Sequence, residues 1–282
     1  MSGDGVVWRG MDRATVESEY QPSLHVPSLQ TYMELYAERS AVARAGLPHE
    51  RVPYGDHPDE WLWYAAAARP GAPLLAFLHG GYWRRLSADD GCLLAPLAHA
   101  HGFAFASVNY SLCPTEPLAT LVEQARRAVA FLAGDGLSLG HDPDRVHVAG
   151  HSAGAHLAAM AGVADDRPAG LVLISGVYDL TPIVHTTIND DVRLTTAEAE
   201  RLSPLRRIGE RRRARSVVAW GALETSEFRR QSLEWAAAWD AVPGNVRPVL
   251  APAAGRNHFD VLFDLLDPGT PLGSAVTAQL RG

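Results

Sequence analysis

Gly150-His151-Ser152-Ala153-Gly154 stands between an apolar run, "RVHVAG" (Arg145 to Gly150), and a run of small residues, "AGAHLAAMAGVA". G-x-S-x-G between a strand and a helix is the pattern of a nucleophile elbow. Small flanking residues let strand and helix approach, and the serine is pushed out at the helix N-terminus, where the helix dipole favours developing negative charge. Ser152 then needs a base, and in this architecture the chain order is serine, acid, histidine. Of twelve histidines, only His185 and His258 lie well downstream. His258, in "APAAGRNHFD", follows the last expected strand, where a loop can return it over the elbow. His185 reads as a loop histidine. The first carboxylate after "SVVAWG" is Glu224. Glu227 can be explained as a charge at a helix N-terminus, and Asp179 is the alternative acid if that role sits one strand earlier. The expected relay is Ser152, His258 and Glu224, with the acid holding the imidazole in the tautomer that accepts the serine proton.

Acyl transfer also needs backbone donors for an oxyanion. "PLLAFLHGGYWRR" (Pro73 to Arg85) ends an apolar strand in His-Gly-Gly. Two glycines there allow close approach of the backbone to a carbonyl oxygen, though a tight turn is the other reading. Gly80, Gly81 and Ala153 are the expected donors. Tyr82 and Trp83 either line the substrate or pack the loop, and Phe259 adjoins the base.

The elements that must position these groups are short. Apolar strands are expected at 60–66, 73–79, 103–110, 145–150, 171–175, 216–221 and 247–252, with amphipathic or buried helical patterns between most of them. Such alternation implies an α/β fold, a mostly parallel sheet with helices on both faces and its site outside the carboxyl ends of the strands. The first 46 residues look helical, with Leu29, Tyr32, Met33 and Tyr36 at helical spacing and Gly46 as a stop. About 40 residues separate the Leu171 and Ser216 strands, more than one helix needs. Within them Thr195 and Glu198 have capping-box spacing. This insertion, about 182–214, reads as a small cap on what is otherwise one domain of 282 residues.

Composition narrows the function. A net charge of -7 argues against a nucleic-acid binder, and the one dense basic run, Arg206 to Arg215, reads as solvated surface. The chain has no lysine, so Schiff-base, Ser-Lys and P-loop chemistries are excluded. Two cysteines without metal spacing argue against a zinc site or a disulfide framework. No cofactor or metal is expected. The absence of a long apolar run or an apolar signal core leads to an expectation of no membrane partner and a cytoplasmic location.

Together "HGGYW", "VNYSLCP", "GHSAGAHL", "SGVYDLTPI" and "ETSEFRRQS" resemble the kynurenine formamidases, or arylformamidases, a branch of the α/β-hydrolases. The resemblance runs from about residue 30 to the His258 loop. It implies an α/β-hydrolase fold, Ser152 as nucleophile, His258 as base and Glu224 at a position where the family more often has Asp. It also implies hydrolysis of N-formyl-L-kynurenine to kynurenine and formate. "EWLWYAAA" departs from the family pattern, where a Leu-Asp strand is usual. Tyr178, in "SGVYDL", joins Tyr82, Trp83 and Phe259 as an expected substrate contact. The expected partner is a small acylated aromatic molecule, and a homodimer is one expectation for the assembly. An esterase or amidase of a specialised metabolite would use the same groups with a different pocket. A non-catalytic binding module on the same fold would need none of them.

Overall fold

The computed structural model describes residues 5–134, 139–164, 167–209 and 214–282, so part of the basic run at 206–215 and of the insertion lies outside the described residues. The strands are β1 (Glu50–Pro53), β2 (Trp61–Ala65), β3 (Ala72–Leu78), β4 (Ala104–Val108), β5 (His141–His151), β6 (Gly170–Ile174), β7 (Arg215–Gly221) and β8 (Val249–Ala253). They form one sheet in the order β1-β2-β4-β3-β5-β6-β7-β8. β1 and β2 are antiparallel to their neighbours, and every pairing from β4 to β8 is parallel. This is an α/β-hydrolase sheet, with seven of its strands where apolar runs place them. β1, "ERVP", was not anticipated. It is a short edge strand with mostly exposed side chains, and charged residues carry no burial pattern to read.

β3 is buried along its whole length, and its alternation divides the core. Leu74, Ala76 and Leu78 join one apolar cluster, Leu75 and Phe77 the other, so each sheet face has its own layer. The helix Ala153–Ala164 lies almost entirely buried on one face. Its small residues make that possible: a Cβ added at Gly162 would sit 2.6 Å from the Leu171 side chain.

Two other segments matter for the site. The N-terminal segment folds as a helix Arg13–Tyr20, capped by the Asp12 carboxylate on the Thr15 amide, and a helix Leu29–Gly46, capped by Ser28. The insertion after β6 contains the helix Thr196–Arg201, which starts with the Thr195–Glu198 capping box. It packs Leu180, Ile183, Ile188 and Leu202 into the core and meets the N-terminal segment through Glu17 and Thr187.

Burial also sets an acid limit on stability. His79, His151 and His156 are buried, which holds their pKa values down at about 4, 3 and 4; burial and the nearby Arg145 and Arg215 bring His147 to about 4. In an unfolded chain each would titrate near 6.5. Between about pH 4 and 6.5 the unfolded chain therefore binds more protons, and stability falls as pH falls. These groups contribute fully above the unfolded value and lose their contribution toward the folded one. Each is worth up to about 1.4 kcal/mol per pH unit in that window, against a total stability of roughly 5–15 kcal/mol. The urea midpoint should be level above pH 7 and drop steeply between pH 6 and 4.5. A midpoint unchanged across that range would contradict it.

Candidate active site

β5 ends in a turn too tight for ordinary side chains. A Cβ on Gly150 would lie 2.2 Å from the Gly154 carbonyl oxygen, and one on Gly154 would lie 2.0 Å from that of Leu78. Ser152 takes φ +55°, a conformation uncommon outside glycine, and its amide donates to Ile174 O at 2.8 Å. The hydroxyl is thereby held at the carboxyl edge of the sheet. Loops after β7 and β8 bring two partners to it. His258 Nε2 is 3.0 Å from Ser152 Oγ, and His258 Nδ1 is 2.9 Å from Glu224 Oε2. The other carboxylate oxygen, Glu224 Oε1, accepts from the Gly221 amide at 2.6 Å and from Ser175 Oγ at 2.5 Å. An ionised carboxylate only accepts, so it selects the Nδ1–H tautomer and leaves the Nε2 lone pair toward Ser152. All three side chains are buried, where such a chain of hydrogen bonds is electrostatically stronger than in water. The arrangement can draw a proton from Ser152 onto His258.

The His-Gly-Gly loop sits against this turn. A Cβ on Gly80 would be 3.1 Å from both the His151 carbonyl oxygen and its Nδ1, and 3.4 Å from Ser152 Cβ. Gly81 has φ +99°, and a side chain there would strike Arg85 O at 2.3 Å. Among the described residues, the Gly80 and Gly81 amides donate to no protein acceptor. Ala153 begins its helix, where the first amides have no intrahelical acceptor. These donors are free to meet an oxygen beside Ser152. His151, the variable residue of the motif, is engaged elsewhere: its Nε2 bonds His258 O at 2.7 Å and ties the base loop to the elbow.

A pocket of about 290 Å³ opens onto Ser152 and His258. Tyr82 and Phe259 line it. Trp83 and Tyr178, the other two expected substrate contacts, do not. Tyr82 and Trp83 both take positive φ (+51° and +58°), and their rings meet edge to face with centres 5.8 Å apart, but the two side chains reach different partners. The Tyr82 hydroxyl donates to Tyr20 O, whereas the Trp83 indole turns into the core and donates to His156 Nδ1 at 3.2 Å. Tyr178 is fully buried against Trp235, with ring centres 5.0 Å apart. The alternative acids are occupied: Asp179 Oδ1 caps Thr181, and Glu227 binds Tyr20, Trp8 and Arg230.

The far wall of the pocket comes from the N-terminal segment, through Gln21, Pro22, Ser23, Leu29, Met33 and Tyr36. Tyr36 donates to Phe259 O at 2.5 Å, and Tyr32 stacks on Phe259 at 5.3 Å. The described residues of the insertion after β6 line none of the pocket; they support this wall from outside. The helical stripe Leu29, Met33, Tyr36 was the available signal, but an apolar stripe reads equally as a core face. Among the described residues there is no cluster of His, Cys, Asp or Glu suited to a metal ion, and no helix is long and apolar enough to cross a membrane.

The profile of the family described as alpha/beta hydrolase fold matches residues 75–219. A kynurenine formamidase of Danio rerio is 30% identical over 92% of this chain and 94% of that protein. One of Salmo salar is also 30% identical, with the same coverage of 92% and 94%. Among solved structures, a candidate thioesterase of Silicibacter sp. TM1040 aligns with a TM-score of 0.79 at 26% identity, covering 93% of this chain and 98% of that one.

Proposed function

The chain belongs to the kynurenine formamidase family of α/β-hydrolases, and from that premise we propose that it hydrolyses an aryl formamide, first of all N-formyl-L-kynurenine, to the arylamine and formate. Ser152 Oγ attacks the formyl carbon while His258 Nε2 takes its proton. The tetrahedral oxyanion accepts from the Ala153 amide and from Gly80 or Gly81. His258 then gives the proton to the departing aryl nitrogen, the C–N bond breaks, and a formyl ester remains on Ser152. Water, deprotonated by the same imidazole, attacks that ester, the bond from the acyl carbon to Ser152 Oγ breaks as His258 returns the proton to Oγ, and formate leaves. Glu224 keeps the imidazole oriented and stabilises it while it is charged.

The observation that carries this reading is the buried Ser152–His258–Glu224 chain opening onto a small aromatic-walled pocket. A formyl group offers only a hydrogen as its acyl part, so binding energy must come from the leaving group. Tyr82 and Phe259 offer ring faces for a flat amine, each contact worth roughly 0.5–1.5 kcal/mol beyond its burial. The volume, at the low end of ligand sites of roughly 300–1,000 Å³, suits one ring rather than a large ester. The test is kcat/KM for N-formyl-L-kynurenine, read as formate release, against short p-nitrophenyl esters. We expect formamide turnover in the ordinary enzymatic range, about 10⁴ M⁻¹s⁻¹ or above. Good ester turnover with no formate from the formamide would replace the reading with a different acyl hydrolase.

A further inference from the structure

Two guanidinium groups line the pocket, and they meet different fates. Arg84 Nη1 donates to Asp191 Oδ2 at 2.6 Å, so its charge is matched and it fastens the loop to the insertion. Arg85, the next residue, is exposed at the rim and has no carboxylate, carbonyl or ring partner among the described residues. Among the described residues no acidic side chain lines the pocket, and the wall opposite is largely apolar, with Pro22, Leu29 and Met33. A cation without a counter-charge at the mouth of an apolar pocket complements an anion. The guanidinium fork can hold a carboxylate, as it can a phosphate, by two parallel hydrogen bonds.

The backbone behind this side chain is fixed. Arg85 O and Cβ pack against Gly81, and the Arg84 amide closes a turn onto Gly81 O at 3.1 Å. The loop whose free amides face Ser152 thus also carries the unmatched charge, on a backbone fixed against Gly81. We propose that Arg85 is a specificity residue that reads a carboxylate on the leaving group, making the preferred substrates aryl formamides that carry an acid. This rests on the formamidase reading, because a formyl group has no room for an anion and the carboxylate must lie on the amine side.

Binding separates the two ideas. Calorimetry compares L-kynurenine with its α-carboxamide on the wild type, Arg85→Met and Arg85→Lys. The wild type should bind the acid roughly tenfold or more tightly than the amide, as a charge-assisted hydrogen bond warrants. Arg85→Met should bring that ratio near one, Arg85→Lys should recover part of it, and added salt should shrink it. A purely structural role would weaken both ligands together. Equal binding of the two by the wild type, failure to bind either, or a parallel loss in Arg85→Met overturns the assignment. Formate release from N-formyl-L-kynurenine is scored separately. A binding preference without formate release defeats the formamidase reading and leaves Arg85 as an anion reader; formate release without the preference does the reverse.

Discussion

Ser152→Ala and His258→Ala should each lower kcat by at least three orders of magnitude, since members of such a relay act as one unit and losing either removes most of its effect. The serine variant is the cleaner test. It removes one buried oxygen, keeps the amide bond to Ile174 O, and asks no more of the φ +55° backbone than serine does. Its melting temperature should stay close to that of the wild type. The histidine variant also leaves Glu224 facing a cavity, although Gly221 and Ser175 still donate to it. Some loss of stability is expected there. A folded variant of either kind that keeps more than about a tenth of the wild-type kcat would refute the assignment.

Glu224→Gln should cost nearly as much, for a reason visible in its hydrogen bonds. Oε1 accepts from the Gly221 amide and Ser175 Oγ, so the amide oxygen of a glutamine must take that place. The NH₂ group is then forced toward His258 Nδ1, where Oε2 now stands at 2.9 Å. A donor at that point selects the opposite tautomer, with the proton on Nε2, and the base can no longer accept from Ser152. A wrong-tautomer imidazole of this kind has cost about 10⁴ in kcat elsewhere. Asp179→Asn, whose carboxylate caps Thr181, should change kcat by no more than about threefold. Glu227→Gln should lower the melting temperature through Arg230, Tyr20 and Trp8 while sparing kcat. If Asp179→Asn were the most damaging of the three, the acid would lie on the earlier strand.

What could be read from the sequence divides by distance along the chain. The turn at Ser152 is written in five consecutive residues, because a strand must reverse into a helix there and only glycine fits beside Leu78 O. The sheet follows from runs of buried residues such as "PLLAFLH", whose pattern needs no partner to be seen. β1 escaped because its side chains are exposed. Tyr82 and Trp83 could not be told apart, since neither periodicity describes neighbours at positive φ. The pocket wall was hidden for another reason. Whether Leu29 and Met33 face a core or a cavity depends on Phe259 and Tyr82, far away in sequence, and a helical stripe alone does not distinguish the two.

That same wall has a consequence for how the molecule is made. Tyr20 meets Glu227 across 207 positions, and Tyr36 meets Phe259 across 223. The earlier segment must wait on the ribosome for partners made more than two hundred residues later. Closing loops of this length makes such contacts slow to form compared with local ones. Until residue 259 is out, Leu29 and Met33 have no Phe259 to enclose a pocket with. The nascent chain can build the elbow and most of the sheet yet possess no substrate site, so catalysis begins only when two segments more than two hundred residues apart find each other.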